Sequence, residues 1–178
     1  MGVDGLKLDP TSPSDAAALV ALRRAVVREG MWFTVEPDEL REDTAQRAEM
    51  IRQLRRSGNS VSFVARVGSE TVGVVYVEGG PLRRIRHVGR LEILVAGAWR
   101  GRGVGDALVS AALRQAALTP ALEKVELAVY AHNARAIALY ARHGFVEEGR
   151  RMGQQNLPDG SYADEVWMAR WLRGGPRS

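Results

Sequence analysis

The chain has 178 residues, of which 46% are hydrophobic and 26% charged, so it can bury a sizeable core and we expect one globular domain over residues 1–178. It contains no cysteine, which excludes disulfides, cysteine-ligated zinc and a thiolate nucleophile. No apolar run approaches the roughly 18 residues of a membrane span, and the first residues lack the apolar core of a signal peptide, so we expect a cytoplasmic protein with no membrane partner. The net charge of +4 comes from arginines dispersed along the chain, a distribution that does not favour a nucleic-acid partner.

The first half of the chain predicts one strand, two helices and then a group of antiparallel strands. Residues 3–8 alternate as a strand, and Ser14-Asp15 caps an apolar-periodic helix that stops at Gly30. A second helix is predicted from about Asp38 to Arg56. The β-branched runs 61–67 and 71–77 form a hairpin, and a third strand covers about 87–95.

The second half alternates helices and strands. A helix is predicted over 104–118, a strand over 125–130, and a short helix from its cap Asn133 to Gly144. The turn 158–160 then joins two arms of a final hairpin, of which the second covers 162–172. The order of elements predicts a mixed α/β domain whose first half is antiparallel.

A strand, a turn with alternate glycines and a helix follow one another at residues 91–108, with glycines at Gly101, Gly103 and Gly105. We expect these glycines to adopt positive φ, so that the free N–H groups of the helix start can bind an anion, with Arg100 and Arg102 adding charge at the rim. A P-loop is excluded because no lysine or hydroxyl residue follows the last glycine, and the G-x-G-x-G spacing differs from the dinucleotide fingerprint. A simple tight turn stays open as the alternative.

A second cluster, at residues 130–145, favours an anion-binding turn over a simple tight turn. Arg100-x-x-Gly103-x-Gly105 resembles the R/Q-x-x-G-x-G/A acyl-CoA loop of the GNAT superfamily of N-acetyltransferases, and Asn133, Ala138-Leu-Tyr140 and Gly144-Phe145 resemble its downstream signature. The resemblance covers about residues 60–172. Within the superfamily, the chain resembles the bacterial branch that acts on amino acids and small amines.

This resemblance implies the GNAT fold: a mixed, mostly antiparallel sheet of six or seven strands, flanked by helices, with a splayed central strand pair. The pantetheine arm of the cosubstrate acetyl-CoA then lies between the strands that hold residues 93–95 and 127–130, within an acyl-CoA-binding core of about 60–145. The residues that the resemblance assigns to the coenzyme are Ile93, Leu94, Val95, Arg100, Gly101, Arg102, Gly103, Val104, Gly105, Asn133 and Tyr140. Asn133 as a helix cap alone stays open.

Without cysteine, the expected route is direct attack of a substrate amine on the thioester. Glu92 is the candidate base, directly or through water; the alternative is an exposed strand glutamate opposite an arginine. Tyr140 is the candidate acid for the leaving thiolate, and its alternative is packing against Phe145 at a left-handed helix cap. The three histidines are scattered, so no metal is expected.

The acceptor site is expected between the connection at about 30–40 and the final hairpin at about 153–162. Trp32, Phe33, Glu36 and Tyr162 are the candidate substrate residues there, an aromatic and acidic set that suits a cationic amine, unless they only pin the loop. We expect N-acetylation of a small-molecule amine, with protein N-terminal or side-chain acetylation, or a non-catalytic acyl-CoA sensor, as alternatives. The sequence leaves a homodimer open.

Overall fold

The computed structural model describes residues 3–175, so the ends of the predicted domain, 1–2 and 176–178, lie outside the described residues. Within that range the chain forms seven strands and four α-helices. The strands are β1 Leu6–Pro10, β2 Val61–Val67, β3 Glu70–Gly79, β4 Val88–Val95, β5 Lys124–Tyr130, β6 Val146–Asn156 and β7 Tyr162–Trp171. The helices are α1 Ala16–Val27, α2 Thr44–Arg56, α3 Val104–Leu118 and α4 Ala134–Arg142.

The strands form one mixed sheet in the order β1-β2-β3-β4-β5-β7-β6. All neighbouring pairs of described strands are antiparallel except β4 and β5, which run parallel. The prediction of a mostly antiparallel α/β sheet of six or seven strands is therefore confirmed, with seven strands.

Three predicted boundaries are wrong, and each has a local cause. The first strand begins at Leu6 instead of residue 3, because Gly5 turns the chain at a φ of +73°. Ser12, not Ser14, caps a 3₁₀ turn that precedes α1, in a capping box with Asp15, and Asp15 is itself the N-cap residue of α1. The second helix begins at Thr44 instead of about Asp38, because Asp43 and Gln46 form a capping box there.

The helices cover both faces of the sheet. α3 packs on one face, in a cluster that includes Leu91 and Leu108, and α1 and α2 pack on the other, in a cluster that includes Leu94 and Ile51. Successive side chains of a strand point to opposite faces. Glu92 of β4 therefore points to the same face as Leu94, the face that α1 and α2 cover.

The parallel pair of strands stays together only at its start. The pairing runs from Val88 with Lys124 to Arg90 with Glu126 and then ends. Beyond it, β4 remains paired with β3 as far as Val95, and β5 with β7 as far as Tyr130. The predicted splay of the central strands is confirmed, and it opens a gap in the middle of the sheet.

Candidate active site

A cavity of about 700 Å³ occupies this gap. Its walls include residues 91–95 of β4 and 128–130 of β5, the stretches beyond the end of the parallel ladder. The facing edges of these stretches have no strand partner across the gap, so a ligand with amide groups can hydrogen-bond to them. The cavity is thus lined by polar backbone as well as by side chains.

The glycine turn lies at one end of the cavity and leads into α3. Gly101 and Gly103 have φ angles of +77° and +90°, in the left-handed region, and Gly103 is the N-cap of α3. No side chain caps this helix start, so its first N–H groups can bind an anion. The prediction of positive φ is wrong for Gly105, which lies inside α3; a Cβ there would stand 3.3 Å from Leu139 Cδ2.

Arg100 does not offer a free charge at the rim. Its Nη1 and Nη2 donate to the two carboxylate oxygens of Glu29, at 2.5 and 2.8 Å, and its Nε donates to the carbonyl of Val95 at 3.0 Å. Arg102 lies outside the cavity wall, 5.3 Å above the Trp99 ring. Val104 is fully buried and does not line the cavity.

Arg135 is a cation on the cavity wall that sequence reasoning missed. It lines the cavity from the first turn of α4, and its guanidinium lies 3.1 Å from where a Cβ on Gly101 would stand. The signal for it was its place two residues after Asn133, at the same helix start. Asn133 itself lines the cavity and caps α4, its side chain accepting from the Ala136 N–H at 3.1 Å.

Glu92 lines the cavity from β4 and is also bound by an arginine. Arg23 Nη1 of α1 donates to its Oε1 at 2.5 Å, and the Glu92 side chain remains 44% exposed. The same arginine lies 3.9 Å from Glu42, which in turn binds the buried guanidinium of Arg47. Glu92 therefore lines the cavity, as a base would, and also pairs with an arginine, as the alternative interpretation expects.

Tyr140 lines the cavity from the last turn of α4, and its residue is only 7% exposed. Burial raises the pKa of its hydroxyl well above the usual range, and the negative charge of Glu92 raises this pKa further. The hydroxyl is therefore protonated at neutral pH and can donate. The ring also packs on Phe145, with the centroids 5.8 Å apart, and Gly144 caps the helix at a φ of +78°.

Two of the four candidate acceptor residues lie on the cavity wall. Trp32 and Phe33 line it, whereas Glu36 and Tyr162 do not, and Tyr162 is 68% exposed. Side chains on the sheet complete the wall: Arg90 of β4 and Glu165 of β7 line the cavity, and sequence reasoning missed both. Their strand positions gave no local signal, because register with neighbouring strands decides which residues face the gap.

Residues 3–175 contain no group of three or more histidine and acidic side chains that could hold a metal ion. None of the helices in this range is long and apolar enough to cross a membrane.

Comparison with known proteins adds a family match. The model of the acetyltransferase (GNAT) family matches residues 26–145 of this chain. The L-amino acid N-acetyltransferase AaaT of Escherichia coli (strain K12) is 32% identical over 108 residues, and the alignment spans 61% of this chain and 66%, just under two thirds, of that relative.

Solved structures share the fold over nearly the whole chain. An acetyltransferase of the GNAT family from Streptococcus pneumoniae is 26% identical with a TM-score of 0.89, and the match covers 93% of this chain and 99% of that one. A phosphinothricin acetyltransferase of the GNAT superfamily from Sinorhizobium meliloti, solved in complex with acetyl-CoA, is 19% identical with a TM-score of 0.82; the match covers 94% of this chain and 89% of that one. The second likeness concerns the fold alone.

Proposed function

This chain belongs to the GNAT acetyltransferase family, and on that premise we propose that it transfers the acetyl group of acetyl-CoA to the primary amine of a small molecule, an amino acid or a related amine. The observation that carries the proposal is a single cavity that joins an uncapped helix start, a splayed strand pair, an acidic side chain and a buried tyrosine. The name of the relative AaaT supports an L-amino acid as the acceptor.

The glycine turn, the splayed strands and Arg135 support a coenzyme site in this cavity. The main chain from Arg100 to Gly105 and the first turn of α3 would hold the diphosphate, with Arg135 beside them. The facing edges of β4 and β5 would bind the pantetheine amides, and Asn133 would contact the same arm. Acetyl-CoA supplies the activated acetyl group, and the residues of the chain bind, orient and exchange protons.

The substrate amine has to lose a proton. An alkylamine with a pKa of about 10.4 is neutral in about one molecule in a few thousand at pH 7, a deficit of roughly 4–5 kcal/mol. We assign proton acceptance to Glu92, directly or through a water, while Arg23 fixes the orientation of its carboxylate. The neutral nitrogen then forms the C–N bond as the C–S bond breaks, and it gives up a second proton. Tyr140 either passes its own hydroxyl proton to the leaving sulfur and regains one from this nitrogen, or only hydrogen-bonds the thiolate while the proton leaves to solvent.

The acceptor is recognised from the α1–α2 side of the sheet. Trp32 and Phe33 form an aromatic wall there, and Glu92 contributes a negative charge. Aromatic faces and a carboxylate together favour a cationic amine. We further propose that residues 1–178 form one acetyltransferase domain, supported by the single sheet that joins β1 to β7; a homodimer and a cytoplasmic location stay predictions.

Release of CoA thiol from acetyl-CoA tests the proposal, with each of the twenty L-amino acids, a set of polyamines and a set of peptides as acceptors. We expect acceptor-dependent release with at least one L-amino acid, and acetyl-CoA binding by calorimetry. Release with peptides alone would favour the protein acetyltransferase, and tight binding without release from any acceptor would favour the sensor. Absence of binding would refute the site itself.

A further inference from the structure

Glu29, just beyond the end of α1, receives three N–H donors at its carboxylate. Arg100 supplies two of them, at 2.5 and 2.8 Å, and the indole Nε1 of Trp32 supplies the third, at 2.8 Å. Glu29 and Arg100 are 71 positions apart in the sequence. One carboxylate therefore ties a residue of the glycine turn to a residue of the acceptor wall.

The guanidinium of Arg100 is held on further sides. Its Nε donates to the Val95 carbonyl at the end of β4, and its Cζ atom lies 5.9 Å from the Trp32 ring centroid. Because Nε, Nη1 and Nη2 all donate hydrogen bonds to protein groups, the Arg100 side chain is held in the cavity wall. Arg100 thus contacts β4, Glu29 and Trp32, and so joins elements that surround the cavity.

This pair is stronger than an ordinary surface ion pair. The side chains of Arg100 and Glu29 are only 24% and 27% exposed, and the contact is bidentate. Burial alone would raise the pKa of Glu29, but the hydrogen bonds from Arg100 and Trp32 outweigh it and hold this pKa below its ordinary value. The carboxylate is accordingly charged at neutral pH.

We propose that Glu29 is a positioning residue that keeps Arg100 away from the coenzyme phosphates and uses it, together with the Trp32 indole, to fix the acceptor wall. The inference rests on the proposed function and deepens it, because it gives the main chain of the glycine turn and the side chain of Arg100 different roles. The backbone amides of the turn and Arg135 bind the diphosphate, and the side chain of Arg100 orders the acceptor side.

The test is Glu29→Gln in the full chain, which preserves shape and removes the charge. Trp32 then loses its anionic partner and Arg100 is released toward the coenzyme. We expect KM for the best L-amino acid acceptor to rise about tenfold, the loss expected when a hydrogen bond to a charged group is weakened. We expect kcat to stay within about twofold, and the Kd of acetyl-CoA, measured by calorimetry, to be unchanged or lower.

Two further variants make this result specific. Trp32→Phe keeps an aromatic ring but removes the N–H donor, so it should raise the acceptor KM in the same direction while leaving the Kd of acetyl-CoA unchanged. Glu49→Gln removes an ordinary surface Glu–Arg contact, with Arg52 on α2, and should change none of the three constants.

If Glu29 had a purely structural role, its substitution would weaken the binding of both the acceptor and acetyl-CoA. An unchanged acceptor KM in Glu29→Gln, or a Kd of acetyl-CoA raised more than about threefold, would therefore overturn the inference. If Glu29→Gln does not fold, an unchanged acceptor KM in Trp32→Phe would overturn it instead. Failure of the proposed function is a different result, because the unaltered chain would then release no thiol with any acceptor.

Discussion

Replacing Tyr140 with phenylalanine isolates the hydroxyl from the ring. The ring is buried and packs on Phe145 at 5.8 Å, and phenylalanine retains that contact. We therefore expect the free energy of unfolding to change by less than about 1 kcal/mol. Any larger effect on turnover then belongs to the hydroxyl group.

The size of that effect follows from the proton affinities of the two groups. A thiol has a pKa of about 8.5 and an ordinary tyrosine about 10, and burial raises the pKa of Tyr140 further. Full transfer of the proton is therefore uphill by more than about 2 kcal/mol, so the hydroxyl acts mainly as a hydrogen-bond donor to the developing thiolate. A hydrogen bond to a charged group contributes about 1.5–3 kcal/mol, which corresponds to a loss of about 10- to 100-fold in kcat.

Thiol release gives kcat, and calorimetry gives the Kd of acetyl-CoA, which we expect to stay within about twofold of the unaltered chain. Tyr76→Phe is the control for loss of a buried tyrosine hydroxyl, since Tyr76 is also buried but lies outside the cavity wall, with its ring 5.5 Å from the Arg47 guanidinium. The raised pKa also predicts that Tyr140 causes no fall in kcat as pH rises to about 10. If Tyr140→Phe left kcat unchanged, packing alone would explain this tyrosine.

Three other substitutions test separate parts of the site. Gly103→Ala forces a side chain onto a φ of +90°, so we expect a loss of about 1–2 kcal/mol in the free energy of unfolding, a lower Tm, and weaker binding of acetyl-CoA in calorimetry. Arg135→Gln should raise the Kd of acetyl-CoA about tenfold, with kcat at saturation nearly unchanged; an unaltered Kd would remove Arg135 from the diphosphate site. Glu92→Gln should lower kcat most below about pH 10, where the amine is protonated, and leave the Kd of acetyl-CoA unchanged; equal loss at all pH values would contradict a role as base.

The order of helices and strands could be predicted because each element carries its own period. The β-branched runs of β2 and β3 and the helical spacing of α3 are local signals, and the structure has these elements close to the predicted bounds. The start of α2 is also predictable from the sequence, since Asp43 and Gln46 have capping-box spacing. A start at about Asp38 is wrong because it counts the polar connection before this box as helix.

The side-chain partners at the site could not be predicted in the same way. Glu29 and Arg23 bind residues about 70 positions away, and only the packing of α1 against the sheet decides these contacts. The need for glycine at position 105 also depends on a distant residue, because Leu139 of α4 packs where a side chain would stand. A pattern within one segment contains no information on which residue of another segment lies opposite.

The different surroundings of Arg100 and Arg135 show why a motif predicts a backbone more securely than a side-chain role. A glycine-rich turn that leads into a helix fixes the direction of the main-chain N–H groups, and these groups with the helix dipole suffice to attract an anion. The arginine in the motif is then available for another contact, and here its guanidinium is bound by Glu29. Arg135 contacts the turn from α4, and among the residues that the structure describes no carboxylate pairs with it, in contrast to Arg100 and Arg142. On the proposed function, positive charge for the coenzyme therefore comes from outside the motif, and the acceptor side gains an arginine from within it.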